Sequence, residues 1–75
     1  MSNTAQEFAT KKLINIYKSA STGSDKQTAA IYALGRVGGI EAAKALASIY
    51  DSAGTGTKKQ LACIEALGEV GRVVG

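Results

Sequence analysis

The chain has 75 residues and a net charge of +3, with 45% hydrophobic residues and a mean hydropathy of +0.03. Such a composition describes one small globular domain, which buries only about 60–65% of the surface its unfolded chain exposes. It has no His, Trp or Pro and one Cys, so it lacks the usual neutral general base, the commonest metal ligand and an internal disulfide framework.

The chain opens with the polar stretch MSNTAQEF, which has neither the basic n-region nor the apolar stretch of a signal peptide. No apolar run approaches the ~18 residues of a membrane span, so a cytoplasmic location is expected and a membrane partner is not. Thr4-Ala5-Gln6-Glu7 reads as a capping box, a hydroxyl at N-cap with an acidic or amide side chain at N3. Ala9, Leu13, Ile16, Tyr17 and Ala20 then follow on one face of a helix. After the break STGS (21–24), Ser24-Asp25-Lys26-Gln27 caps a second helix carrying Gln27, Ala30, Ile31, Leu34 and Val37 on one face. Gly38 stands where a left-handed C-cap is wanted.

The pattern then repeats. Ala42, Leu46, Ile49, Tyr50 and Ala53 mark a third helix, and GTGT (54–57) is the break. Thr57-Lys58-Lys59-Gln60 caps a fourth helix, with Gln60, Cys63, Ile64, Leu67 and Val70 on one face and Gly71 at its expected end. IYALGRVGG (31–39) returns as IEALGEVGR (64–72), and aligning 7–39 with 40–72 without a gap gives 18 identities in 33 positions. Gly35 and Gly68 fall in mid-helix, where glycine costs ~1 kcal/mol against alanine. Close approach of a neighbouring helix is the expected reason. The expected architecture is all-α: a single domain over 1–75, a short α-solenoid of two helical hairpins, with unit one at 7–39 and unit two at 40–72.

The endings Ala30–Gly38 and Cys63–Gly71 resemble HEAT-like repeats of the phycobilisome-lyase type, and the resemblance covers roughly residues 5–72. It implies a right-handed superhelical stack in which the second helix of each repeat lines the concave side. Lys26-Gln27 and Lys59-Gln60 depart from it, standing where such repeats often carry an aliphatic residue followed by a basic one.

Repeat arrays are stabilised by stacking neighbours, and about three units is the usual minimum. Two units therefore imply association with further copies, a piece of a longer array, or a marginal monomer. The initial Met and the capped first segment favour self-association. Phe8 and Ile14 at one end and Val73 and Val74 at the other are the expected contact residues. Steps of 100° per residue turn Thr28, Tyr32 and Arg36 of unit one and Leu61, Glu65 and Glu69 of unit two away from the core. By the resemblance these six line an inner, partner-binding face, and Tyr and Arg are enriched at binding hot spots; an ordinary mixed surface is the simpler reading.

Tyr17 and Tyr50 are expected in the core with their hydroxyls on backbone partners, and Cys63 as a buried structural thiol. The aligned pairs Lys18/Asp51, Asp25/Lys58 and Arg36/Glu69 have opposite signs, whereas Lys11/Lys44 and Lys26/Lys59 are alike, so a solvated face is expected. Lys26, Lys58 and Lys59 at two helix starts form at most a weak anion-attracting edge. GTGTKK lacks the spacing and ending of a phosphate-binding loop.

No catalytic residue, metal site or cofactor is expected. Metal-dependent hydroxylases of the HEAT-like superfamily use His–Glu pairs, and its alkylpurine glycosylases use aromatics with an Asp in a longer array; this chain has no His and no Trp, and neither Asp25 nor Asp51 has such a context. A nucleic-acid partner is not expected at this modest positive charge. The expected function is a non-catalytic protein-interaction or assembly module whose partner is another protein or the chain itself. The alternative, from the resemblance, is a subunit or fragment of a phycobilin lyase or chromophore-handling chaperone with a bilin as ligand.

Overall fold

The computed structural model describes residues 4–73, with the side chains of residues 5–72. Among the described residues there are four helices and no strand: α1 (Thr4–Ser19), α2 (Asp25–Val37), α3 (Gly39–Ser52) and α4 (Lys58–Val73). None of them is long and apolar enough to cross a membrane. The cap expected at Thr4 lies outside the described side chains.

The α1–α2 and α3–α4 connections use one device twice. Gly23 and Gly56 take positive φ, 81° and 77°, which glycine adopts without steric cost. Ser24 Oγ then accepts the Gln27 N–H at 3.2 Å, and Thr57 Oγ1 accepts that of Gln60 at 3.2 Å. The reciprocal half of the box is displaced by one residue. Gln27 Oε1 accepts the N–H of Gly23 at 2.9 Å, and Gln60 Oε1 that of Gly56 at 2.7 Å. The N-cap amides are already used, donating to Ser21 O and Gly54 O in the turns themselves.

A single residue, Gly38, separates α2 from α3. Its φ of 74° and the 86° of Gly39 reverse the chain. Gln6 locks this corner from α1, where its Nε2 donates to Val37 O at 2.8 Å. A Cβ on Gly39 would come within 3.2 Å of the Gln6 amide. The expected cap at Gly71 does not form, and α4 continues through it to Val73. Arg72 stands where the first copy has its second positive-φ glycine, so the reversal is not repeated.

Helix α2 packs most extensively on α4; α1 packs on α2 and α3 on α4, while α1 and α3 meet least of the helix pairs in contact. The core comprises Ile31, Leu34, Ala42, Leu46, Ile49, Ala62, Cys63, Ala66 and Val70, flanked by Leu13, Ile14, Tyr17, Ala43 and Leu67. Thr10 is buried as well, satisfied by donating to Gln6 O at 2.9 Å. No buried side-chain polar atom among the described residues lacks a hydrogen-bond partner.

The two sequence copies share residues but not burial. Ile31 is 0% exposed and its counterpart Ile64 51%. Ala62 and Ala66 of the second copy are buried, whereas Ala29 of the first is exposed and Ala33 half-buried. Each copy covers one face of the other, and each has a second face left open. Ile64, expected in the core, is accordingly at the surface.

Candidate functional site

Two surfaces emerge. The first is a furrow between α2 and α4 holding most of the side chains expected on an inner face. Tyr32, Arg36, Glu65, Ala66 and Glu69 line a shallow depression of about 260 Å³. The Tyr32 hydroxyl donates to Glu65 Oε1 at 3.3 Å, joining residues 33 positions apart. Partial desolvation and then the Glu65 carboxylate raise the Tyr32 pKa above its usual 10.0. Arg36 and Glu65 are exposed and Glu69 is half-buried. Leu61 is exposed and Thr28 half-buried, both outside this depression; the Thr28 hydroxyl donates to Ser24 O at 3.2 Å.

The second surface is the outer side of α4 with the start of α3. It exposes Ile64 on α4 and Ile40 at the start of α3, and Gly68 lies one turn from Ile64 on α4. A Cβ built on Gly68 meets nothing within 4 Å. Its counterpart Gly35 is tightly packed, and a Cβ there would lie 2.8 Å from the Ala66 carbonyl oxygen and 2.9 Å from its Cα and Cβ. The expected close approach thus occurs at Gly35 and is absent at Gly68, because only Gly35 has a helix across from it.

The residues expected at the two ends are placed unequally. Phe8 is 72% exposed. Ile14 is packed against the core and lines a groove of about 410 Å³ between α1 and α3, with Tyr17, Lys44 and Ile49. It therefore faces α3 and not an outer end. The Val73 side chain and Val74 lie outside the described residues.

The tyrosines also differ from expectation. Tyr17 is half-buried and Tyr50 exposed, and neither hydroxyl donates to a protein acceptor among the described residues. Both lie close enough to the surface to be hydrated. Lys59 Nζ sits 5.5 Å from the centroid of the Tyr17 ring, within cation–π range. Lys59 is thus drawn toward α1, while Lys26 and Lys58 are exposed. The aligned pairs Lys18/Asp51, Asp25/Lys58 and Arg36/Glu69 form no ion pair. Cys63 is fully buried and unpaired; burial raises its pKa, and Lys59 partly opposes this.

Four of the six residues expected on one face, Tyr32, Arg36, Glu65 and Glu69, line the α2–α4 furrow, whereas the second surface exposes Ile64, a residue expected in the core. The signal was present in the repeat itself, since a face covered in one copy must be open in the last.

No protein-family model, curated protein or solved structure matches the chain.

Proposed function

We propose that the chain is a short α-solenoid of two HEAT-like helical hairpins that works, without catalysis, as a self-associating assembly module. One observation carries the reading: Ile31 is fully buried, and its repeat counterpart Ile64 is half exposed beside an open Gly68. Burying apolar surface contributes roughly 25 cal/mol per Å², and a two-unit stack has little internal surface to draw on. The same interaction that holds the first unit against the second is left unused on the second. The dominance of α2–α4 packing supports placing the α2–α4 furrow on the inner side of the stack. There Thr28, Tyr32, Arg36, Leu61, Glu65 and Glu69 offer mixed charge and one apolar side chain to a protein segment.

Light scattering over a concentration series tests the assembly. A mass rising above the 7.7 kDa of the single chain is the expected result. A mass fixed at that value up to millimolar concentration sinks the proposal.

A further inference from the structure

The geometry points to a specific mode of assembly: copies join head to tail, the outer face of α3–α4 in one chain receiving the outer face of α1–α2 in the next. The joint repeats the packing already present between the first and second halves of a single chain. This deepens the assembly reading and rests on it.

The argument begins with what covers Ile31 and Gly35. Ala66 of the second copy packs against Gly35, and Ala42, Leu46 and Ala62 of the same copy share the core cluster with Ile31, all four at most 1% exposed. Their counterparts in the first copy are Ala9, Leu13, Ala29 and Ala33, identical in all four residues. None of those four is fully buried. The chain therefore repeats, on α1 and α2, the residues that its own α3 and α4 contribute to the core beside α2. The open face of α4 keeps the accepting residues Ile64 and Gly68, identical to Ile31 and Gly35, with the half-buried Leu67, identical to Leu34, between them in sequence.

Shifting each internal contact by one repeat gives the contacts of the joint. Gly35 against Ala66 becomes Gly68 against Ala33 of the second copy. Lys59 over Tyr17 becomes Lys26 of the second copy over Tyr50. Tyr32 with Glu65 becomes Glu65 with Tyr32 of the second copy, a hydrogen bond of the same type with donor and acceptor exchanged between the units. The opposite charges at 18/51, 25/58 and 36/69 remain opposite after the shift.

One exchange departs from simple repetition and strengthens the case. Within the chain, Thr10 and Ile14 of α1 face Glu41 of α3 across a cavity that all three line. After the shift, Ala43 and Ala47 take the places of Thr10 and Ile14, and Phe8 of the second copy takes that of Glu41. Smaller residues on one side meet a larger one on the other. This provides a place for a phenylalanine that is 72% exposed in the single chain. Apolar residues of matched volume are what a packed interface requires.

Because the two joined faces differ, the contact is heterologous. It leaves one face of each kind free at the ends and continues to add chains unless the rotation closes a ring. Complementation between two variants separates this mode from a symmetric dimer. Gly68→Ala places a Cβ where nothing stands in the single chain, but where the joint allows no room. Ala29→Arg alters an exposed residue whose counterpart Ala62 is 1% exposed. Each variant spoils one face and leaves the other intact, so each alone is expected at 7.7 kDa, its association weakened about tenfold or more.

Mixed one to one, they are expected to form a heterodimer and stop there. A cooperative thermal melt of each variant confirms that both fold. If the wild type assembles and either variant assembles as well as it does, or the mixture stays monomeric, the head-to-tail joint is wrong while self-association stands. If the wild type is monomeric throughout, both fall together.

Discussion

Gly35 of α2 lies against the backbone of Ala66 in α4 so closely that an added Cβ would sit 2.8 Å from the carbonyl oxygen. The counterpart contact of Gly68 is empty. The two glycines occupy the same place in the repeat, so the difference between them reports what each unit has beside it.

Alanine at these positions should act with opposite sign. Gly68→Ala adds helix propensity with no clash and should stabilise the single chain by roughly 0.5–1 kcal/mol. Gly35→Ala gains the same propensity but must push two helices apart, at a cost of about 1–3 kcal/mol. Urea melts at concentrations where both variants are monomeric would show it. Equal midpoints for the two variants would mean that α2 and α4 do not pack as described.

The isoleucines form a second contrasting pair. Ile31→Ala empties a fully buried site and should cost about 2–5 kcal/mol. Ile64→Ala, half exposed, should cost under about 1 kcal/mol in the single chain while lowering the mass of the assembly at a given concentration. Thermal melting and light scattering on the same samples separate the two effects. A large loss of stability on Ile64→Ala would place that side chain in the core.

These pairs also mark what could be read from the residues. The helical periods, the Gly-containing breaks and the hydroxyl caps at Ser24 and Thr57 all lie within a few residues of one another, and local rules suffice for them. Gln60 in place of Gln27, or Ile64 in place of Ile31, looks equivalent on the same rules. Their different burial depends on a neighbouring unit 33 residues away, and periodicity within one helix carries no information about it. The early C-cap at Gly71 failed for a local reason: the Gly38–Gly39 corner needs two positive-φ residues, and Arg72 replaces the second. Gln6 was invisible for the opposite reason, its amide reaching 31 positions along the chain to Val37.

Cys63 should be slow to react with a thiol reagent in the folded protein and fast in denaturant. Burial raises its folded pKa above the unfolded value, so the folded chain holds the proton to higher pH. The sign follows from linkage: this contribution to stability is present below the unfolded thiol pKa, about 8.5, and declines as pH rises above it. Cys63→Ala, which installs the residue of the counterpart Ala30, should remove that decline. Rapid labelling under native conditions would show the thiol to be accessible.

Tyr32 should ionise at higher pH than a free tyrosine, because desolvation and the Glu65 carboxylate both disfavour the phenolate. Ultraviolet titration should move its transition back toward 10.0 in Glu65→Gln, which removes the negative charge and leaves the desolvation. An unchanged titration in the variant would indicate that the 33-residue contact is not formed in solution.

The most direct test of the joined faces is an amide correlation NMR spectrum followed through a dilution series. Head-to-tail assembly predicts concentration-dependent shifts or broadening in two separate patches at once, Ile64 and Gly68 on one side and Phe8 and Ala29 on the other. Exposed positions away from both, such as Thr22 in the α1–α2 break, whose counterpart Thr55 is exposed as well, should stay still. Spectra that superimpose from micromolar to millimolar concentration, or changes confined to a single patch, would contradict it.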